Sequence, residues 1–344
     1  MPTTTFNPML TQPQQQRNRL DWVDQVKGLT IFLVVYGHNF PFCEKYIYSF
    51  HMPLFIMVAG FFHPKVSETL QIKKRFRSLV IPYFMWSLFL YVIWFLITRK
   101  YGDSAALNLS PIKNLIGVFY SQGDRAYMDW GIPLWFLPAL FVTFCLMHFI
   151  LNLGNLTLRN VLLVLVILTG LIYPHITTIN LPWSVNIAMV ALLFYGFGFY
   201  FFKWMSQWSF VVCIVIFIVA AMTNFMLFDY NIKIDMYRAI YGNEALFIIN
   251  GITGSLMVLC FFKAFPIFKF LGYIGKFSLV ILALQLLTMT GIKFILLMAF
   301  HQTEFNFSET ERFIYSIVQI IMMLPIFWFV NKYLPLLNGG LKKI

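Results

Sequence analysis

The chain has 344 residues, 60% of them hydrophobic, 19% aromatic and only 11% charged, with a mean hydropathy of +0.76. This composition leaves too little polar surface for a soluble domain of useful size and predicts an all-α polytopic membrane protein, with the lipid bilayer as its first partner. The net charge of +12 falls in short clusters between apolar runs, a pattern the positive-inside rule explains without a nucleic-acid partner.

Residues 1–18, with TQPQQQ at their centre, are polar and contain proline, and they read as a disordered cytoplasmic tail. Ten apolar runs follow, at about 26–42, 46–62, 79–97, 133–151, 161–176, 183–202, 208–228, 245–262, 277–300 and 313–330. Most approach the ~20 residues that span a bilayer. With a cytoplasmic N-terminus, ten spans place 16 Lys or Arg and 3 acidic residues inside, against 8 and 10 outside. That asymmetry predicts about ten transmembrane helices with both termini cytoplasmic. The domain then runs over 19–332, and residues 333–344 form a short basic cytoplasmic tail. Cys43, Cys145, Cys213 and Cys260 are scattered without a CxxC pair or a metal-ligand spacing, so neither disulfides nor a metal are expected.

The stretch Arg19–Phe62 organises the chain. Its first helix carries Asp24 and Lys27 at a polar entrance and His38 well inside the apolar run. Eleven residues, about three turns and about 16 Å, separate Lys27 from His38, so the two side chains share a face. This places Lys27 near one membrane surface and His38 near the bilayer middle, where a titratable group calls for a functional explanation. His51 begins the second run, where an interfacial structural role is the default. The KKRFR cluster, with Lys73, Lys74, Arg75 and Arg77, reads either as an inner-leaflet anchor or as an anion site.

Five segments occur in order: DQVKGLTIFLVVYGH, SFHMPLFIMVAGFF, KKRFRSLVIPYFMWSL, PLWFLPALF and YIGKFSLVILALQLL. Together they resemble the acyltransferase-3 family of integral membrane O-acyltransferases, including fucose 4-O-acetylase-like enzymes. The family's arginine and histidine, eleven residues apart, fall on Lys27 and His38. Its serine-glycine-phenylalanine falls on Ala59, Gly60 and Phe61, and its paired inner-loop arginines fall about Lys74 and Arg77. Where many relatives carry a histidine in the ninth span, this chain has Gln285.

The resemblance implies an O-acetyltransferase of the cell inner (plasma) membrane that holds no bound cofactor. It would move an acyl group from acetyl-CoA to a hydroxyl of a cell-surface or lipid-linked glycan. His38 would take the hydroxyl proton, Asp24 would orient the polar entrance, and Lys27 would hold donor or intermediate charge. Lys73, Lys74, Arg75 and Arg77 would grip the phosphates of coenzyme A, while His51 and Gly60 would have substrate-binding or structural roles. The alternatives are a multi-pass transporter or lipid-linked glycan flippase and, among enzymes, a membrane-embedded glycosyltransferase. A transporter often carries paired repeats and carboxylates within spans, and neither is evident here.

Overall fold

The computed structural model describes residues 20–64, 69–301 and 305–340, so the proposed N-terminal tail and the last four residues lie outside the described residues. Among the described residues every regular element is helical. In chain order these are α1 (Asp21–Gly37), α2 (Glu44–Tyr48), α3 (His51–Phe61), α4 (Thr69–Arg75), α5 (Ile81–Leu96), α6 (Gly102–Ala106), α7 (Pro111–Tyr120), α8 (Arg125–Met128), α9 (Phe136–Leu151), α10 (Leu156–Ile176), α11 (Val185–Met205), α12 (Phe210–Leu227), α13 (Glu244–Ala264), α14 (Lys269–Lys276), α15 (Ser278–Phe300) and α16 (Glu309–Tyr333). Eight helical stretches among the described residues are long and apolar enough to cross a membrane, from Gln71–Lys100 to Glu309–Tyr333. The chain is an all-α, multi-pass membrane protein.

The first two apolar runs form shorter helices, α1 and the broken pair α2–α3. Helix α1 is nevertheless the centre of the bundle, touching α3, α13, α14, α15 and α16. Its polar start is buried because α14 lies directly against it. A Cβ on Gly28 would collide with the Leu271 carbonyl, and one on Gly275 with the Asp24 carbonyl, so two glycines allow the backbones to meet. The Gln25 amide secures the same seam by donating to the Pro266 carbonyl and accepting from the Phe268 N–H. The crossing of α3 and α11 works the same way, with Gly60 against the Tyr195 carbonyl and Gly198 against that of Met57. Gly60 therefore has a packing role.

Burial separates centre from rim. Within the stretch Ile132–Leu151, 61% of the most apolar window is buried, but only 6% in Leu156–Ile176, leaving α10 at the lipid-facing edge beside α11. Helix starts carry polar caps: Asn155, Ser209 and Asn243 each accept from a backbone N–H, and Ser308 forms a reciprocal capping box with Glu311. After α16, Pro335–Asn338 makes a 3₁₀ turn that packs back on the bundle. The Trp86 indole donates to the Leu337 carbonyl, and the Asn338 amide donates to that of Lys276. Part of the expected C-terminal tail is thus attached to the domain at the same end as Lys27.

Candidate active site

The site consists of two cavities at opposite ends of α1. The larger, about 350 Å³, has an apolar wall that includes Ile31, Phe55, Val58, Phe136, Leu137 and Leu279. Its polar groups are Lys27, Arg75, Ser78, Lys276, Ser278 and Asn338, so three cations line a largely apolar chamber. Lys27 is about one-third exposed and pairs with Asp24 at 3.2 Å, while Asp24 itself is buried. Asp24 consequently orients Lys27 and lies far from His38. The Arg75 guanidinium donates to the Phe62 carbonyl at 3.0 Å and lies over the Phe144 ring, so it is fixed before any anion arrives.

Of the four basic residues expected to share this role, only Arg75 lines the chamber. Lys73, Lys74 and Arg77 are exposed and point elsewhere. Successive residues on a helix lie about 100° apart, so one direction cannot collect all four. A π-helical turn at Phe76–Val80 directly follows, brings Ser78 and Leu79 to the same wall, and turns the chain into α5. The third cation, Lys276, lies within the IGKFSL motif but received no role from the sequence.

The second cavity, about 50 Å³, is lined by His38, Tyr48, His51, Trp135, Asp235 and Tyr237 together with apolar side chains. His38 does not sit in mid-helix as expected. Helix α1 ends at Gly37, and His38 is its C-cap residue, because Asn39 bonds back to the Val35 carbonyl and across to Ser316 and Gln319. Beyond it Phe40 adopts a left-handed conformation that stops the helix. Among the described residues no group hydrogen-bonds the His38 ring, which lines the cavity.

His51 is buried in the same cavity. Its Nδ1 lies 2.8 Å from the Ile47 carbonyl, and only an Nδ1–H can donate there, so the neutral ring keeps Nε2 as a free acceptor. The ring also rests on Tyr48. His51, expected from sequence to have a substrate-binding or structural role, thus lines the same cavity as His38.

Asp235 and Tyr237 come from the connection between α12 and α13, also unassigned from sequence. Asn231 shapes that connection by accepting from the backbone N–H groups of Ile232 and Asn243 and donating to the carbonyls of Tyr241 and Asn243. A short antiparallel bridge, Asp235 to Ile240, then carries Asp235 and Tyr237 over the cavity. Ion pairs Lys233–Glu44 at 2.8 Å and Lys45–Asp229 at 2.6 Å tie the connection to α2. Burial pushes the Asp235 carboxyl up to about 6, against the opposing pull of Arg238 and Lys233.

The two cavities share Met52 and Leu282, which line both. A chamber with three cations at one end therefore meets, across two apolar side chains, a small chamber with two imidazoles. The match to the acyltransferase domain family covers residues 20–332. The chain belongs to the acyltransferase-3 family. It is a multi-pass membrane acyltransferase, and the matched region holds both cavities except for Asn338 and Gly339, which line the larger one from just beyond it. No curated protein and no solved structure is significantly similar to this chain. Gln285 is buried on α15, its Oε1 without a hydrogen-bond partner among the described residues and its Nε2 reaching the Leu282 carbonyl only at 3.5 Å. His63 and His148 lie in an aromatic cluster with Phe144 and Tyr195, lining neither cavity.

Proposed function

We propose that this acyltransferase is an O-acetyltransferase of the cell inner membrane. Acetyl-CoA enters from the cytoplasm, and the acceptor is a hydroxyl of a cell-surface or lipid-linked glycan. The observation that carries this reading is the meeting of the two cavities at Met52 and Leu282. Lys27, Arg75 and Lys276 are suited to the phosphates of coenzyme A, with Arg75 offering a planar fork and the lysines point charges. The apolar chamber suits the uncharged arm that carries the thioester, and a volume of about 350 Å³ falls in the usual range for small-molecule sites. The nucleotide end of the donor stays outside the chamber.

At the junction the acceptor oxygen attacks the thioester carbonyl carbon. A C–O bond forms and the C–S bond breaks. The hydroxyl proton passes to His38 and then to the departing thiolate, which leaves as the thiol. His51, with Nε2 as an acceptor, orients a second hydroxyl of the acceptor. Asp235 and the rings of Tyr48 and Tyr237 provide the polar and aromatic surfaces that a sugar requires. Deletion of the gene, followed by mass spectrometry of the surface glycan before and after mild base, tests the assignment. Loss of a base-labile acetyl ester is expected, and an unchanged glycan would refute it.

A further inference from the structure

Acyl transfer at His38 requires the donor's acyl group to reach the smaller cavity, and Met52 and Leu282 stand between it and the donor chamber. Leu282 is buried on α15 and Met52 half-buried on α3, one residue after His51. Beyond them lies about 50 Å³, room for a few heavy atoms, part of which the acceptor hydroxyl must occupy. An acetyl group adds three heavy atoms past the sulfur. A butyryl group adds two further methylenes, which have no space unless one of the two side chains withdraws.

We infer that Met52 and Leu282 set the acyl chain length, admitting an acetyl group to the imidazoles and rejecting chains of four carbons or more. This rests on the acetyl-CoA reading above. A methylene refused by a well-formed apolar pocket costs about 10- to 200-fold in specificity. The protein therefore favours acetyl over butyryl by at least about 100-fold. Met52 is the more adaptable of the pair because its thioether chain is unbranched, and truncating it joins the two cavities.

Membranes containing the full-length protein, and membranes from a deletion strain, are supplied with acetyl-CoA or butyryl-CoA. Ester-linked acyl groups on the membrane glycan are then released by mild base and quantified per unit of protein. Met52→Ala and Leu282→Ala should each lower the acetyl-to-butyryl ratio at least tenfold, mainly by gain of butyryl transfer, while the volume-conserving Met52→Leu keeps the parent ratio. If the parent and the variants transfer acetyl and the ratio does not move, the chain-length assignment is wrong and the acetyltransferase reading survives. If the parent membranes give no acetyl ester above the deletion strain, the acetyltransferase reading fails and takes this inference with it.

Discussion

Replacing His38 by alanine separates a base from a packed core histidine. No described group hydrogen-bonds the His38 ring, so truncation strands no partner. The stability cost is then only lost packing, about 1 kcal/mol, or a melting-temperature shift of no more than about 2–4 °C. The rate should fall about 10² to 10⁴-fold, equivalent to roughly 2.7–5.4 kcal/mol of barrier, the contribution of a positioned proton acceptor. His51→Ala should behave differently, because it removes the 2.8 Å bond to the Ile47 carbonyl in a buried setting and adds about 1–3 kcal/mol of destabilisation to any loss of rate. The assay is acyl transfer per unit of folded protein in membranes, with monodispersity and melting of the detergent-extracted protein measured alongside. Turnover by His38→Ala within about tenfold of the parent, at normal protein level, would refute the proton-transfer role. A large melting shift without a rate defect would instead make His38 a structural residue.

Arg75→Ala and Lys276→Ala should each raise the KM for acetyl-CoA about tenfold or more, since a hydrogen bond to a charged group is worth about 1.5–3 kcal/mol. Lys74→Ala and Arg77→Ala, whose side chains line neither cavity, should leave KM within about twofold, and equal effects at all four positions would overturn the assignment of Arg75 to the chamber. Asp235 has a carboxyl raised from 3.8 to about 6, so the folded state binds its proton more tightly than the unfolded chain. Its contribution favours folding below about 3.8 and is lost as pH rises through about 6. Thermal unfolding between pH 4 and 7 should therefore show a steeper decline with rising pH in the parent than in Asp235→Asn, and identical slopes would exclude Asp235 as the group responsible.

Hydropathy located the later apolar runs on helices, because burial in lipid demands continuous apolar sequence whatever the tertiary contacts. It misplaced α1, expected at 26–42 and found at Asp21–Gly37. At its start, hydropathy discounts Asp21, Asp24 and Lys27, whereas the glycine seam with α14 supplies the packing that makes this polar turn helical. At its end, Asn39 reaches Ser316 and Gln319, residues from the far end of the chain that no local pattern could associate with it. That shift moves His38 from the middle of a helix to its terminus. There its ring is freed from helix neighbours and can be covered by the α12–α13 connection. Spacing put Lys27 and His38 about three turns apart along α1 and its C-cap, and the two line the cavities at its opposite ends. It could not reveal Lys276 or Asp235, whose positions depend on contacts distant in sequence. The basic cluster shows the same limit: its charge is legible locally, but which residue turns inward depends on the helix phase and the π-helical turn after Arg75. Chemistry carried by a single helix is therefore readable from periodicity, whereas the wall facing it is assembled by helices α3 and α15 and by the α12–α13 connection. The same division places Met52 and Leu282, one beside a recognised histidine and the other in an apparently uniform apolar helix, at the junction of the two cavities.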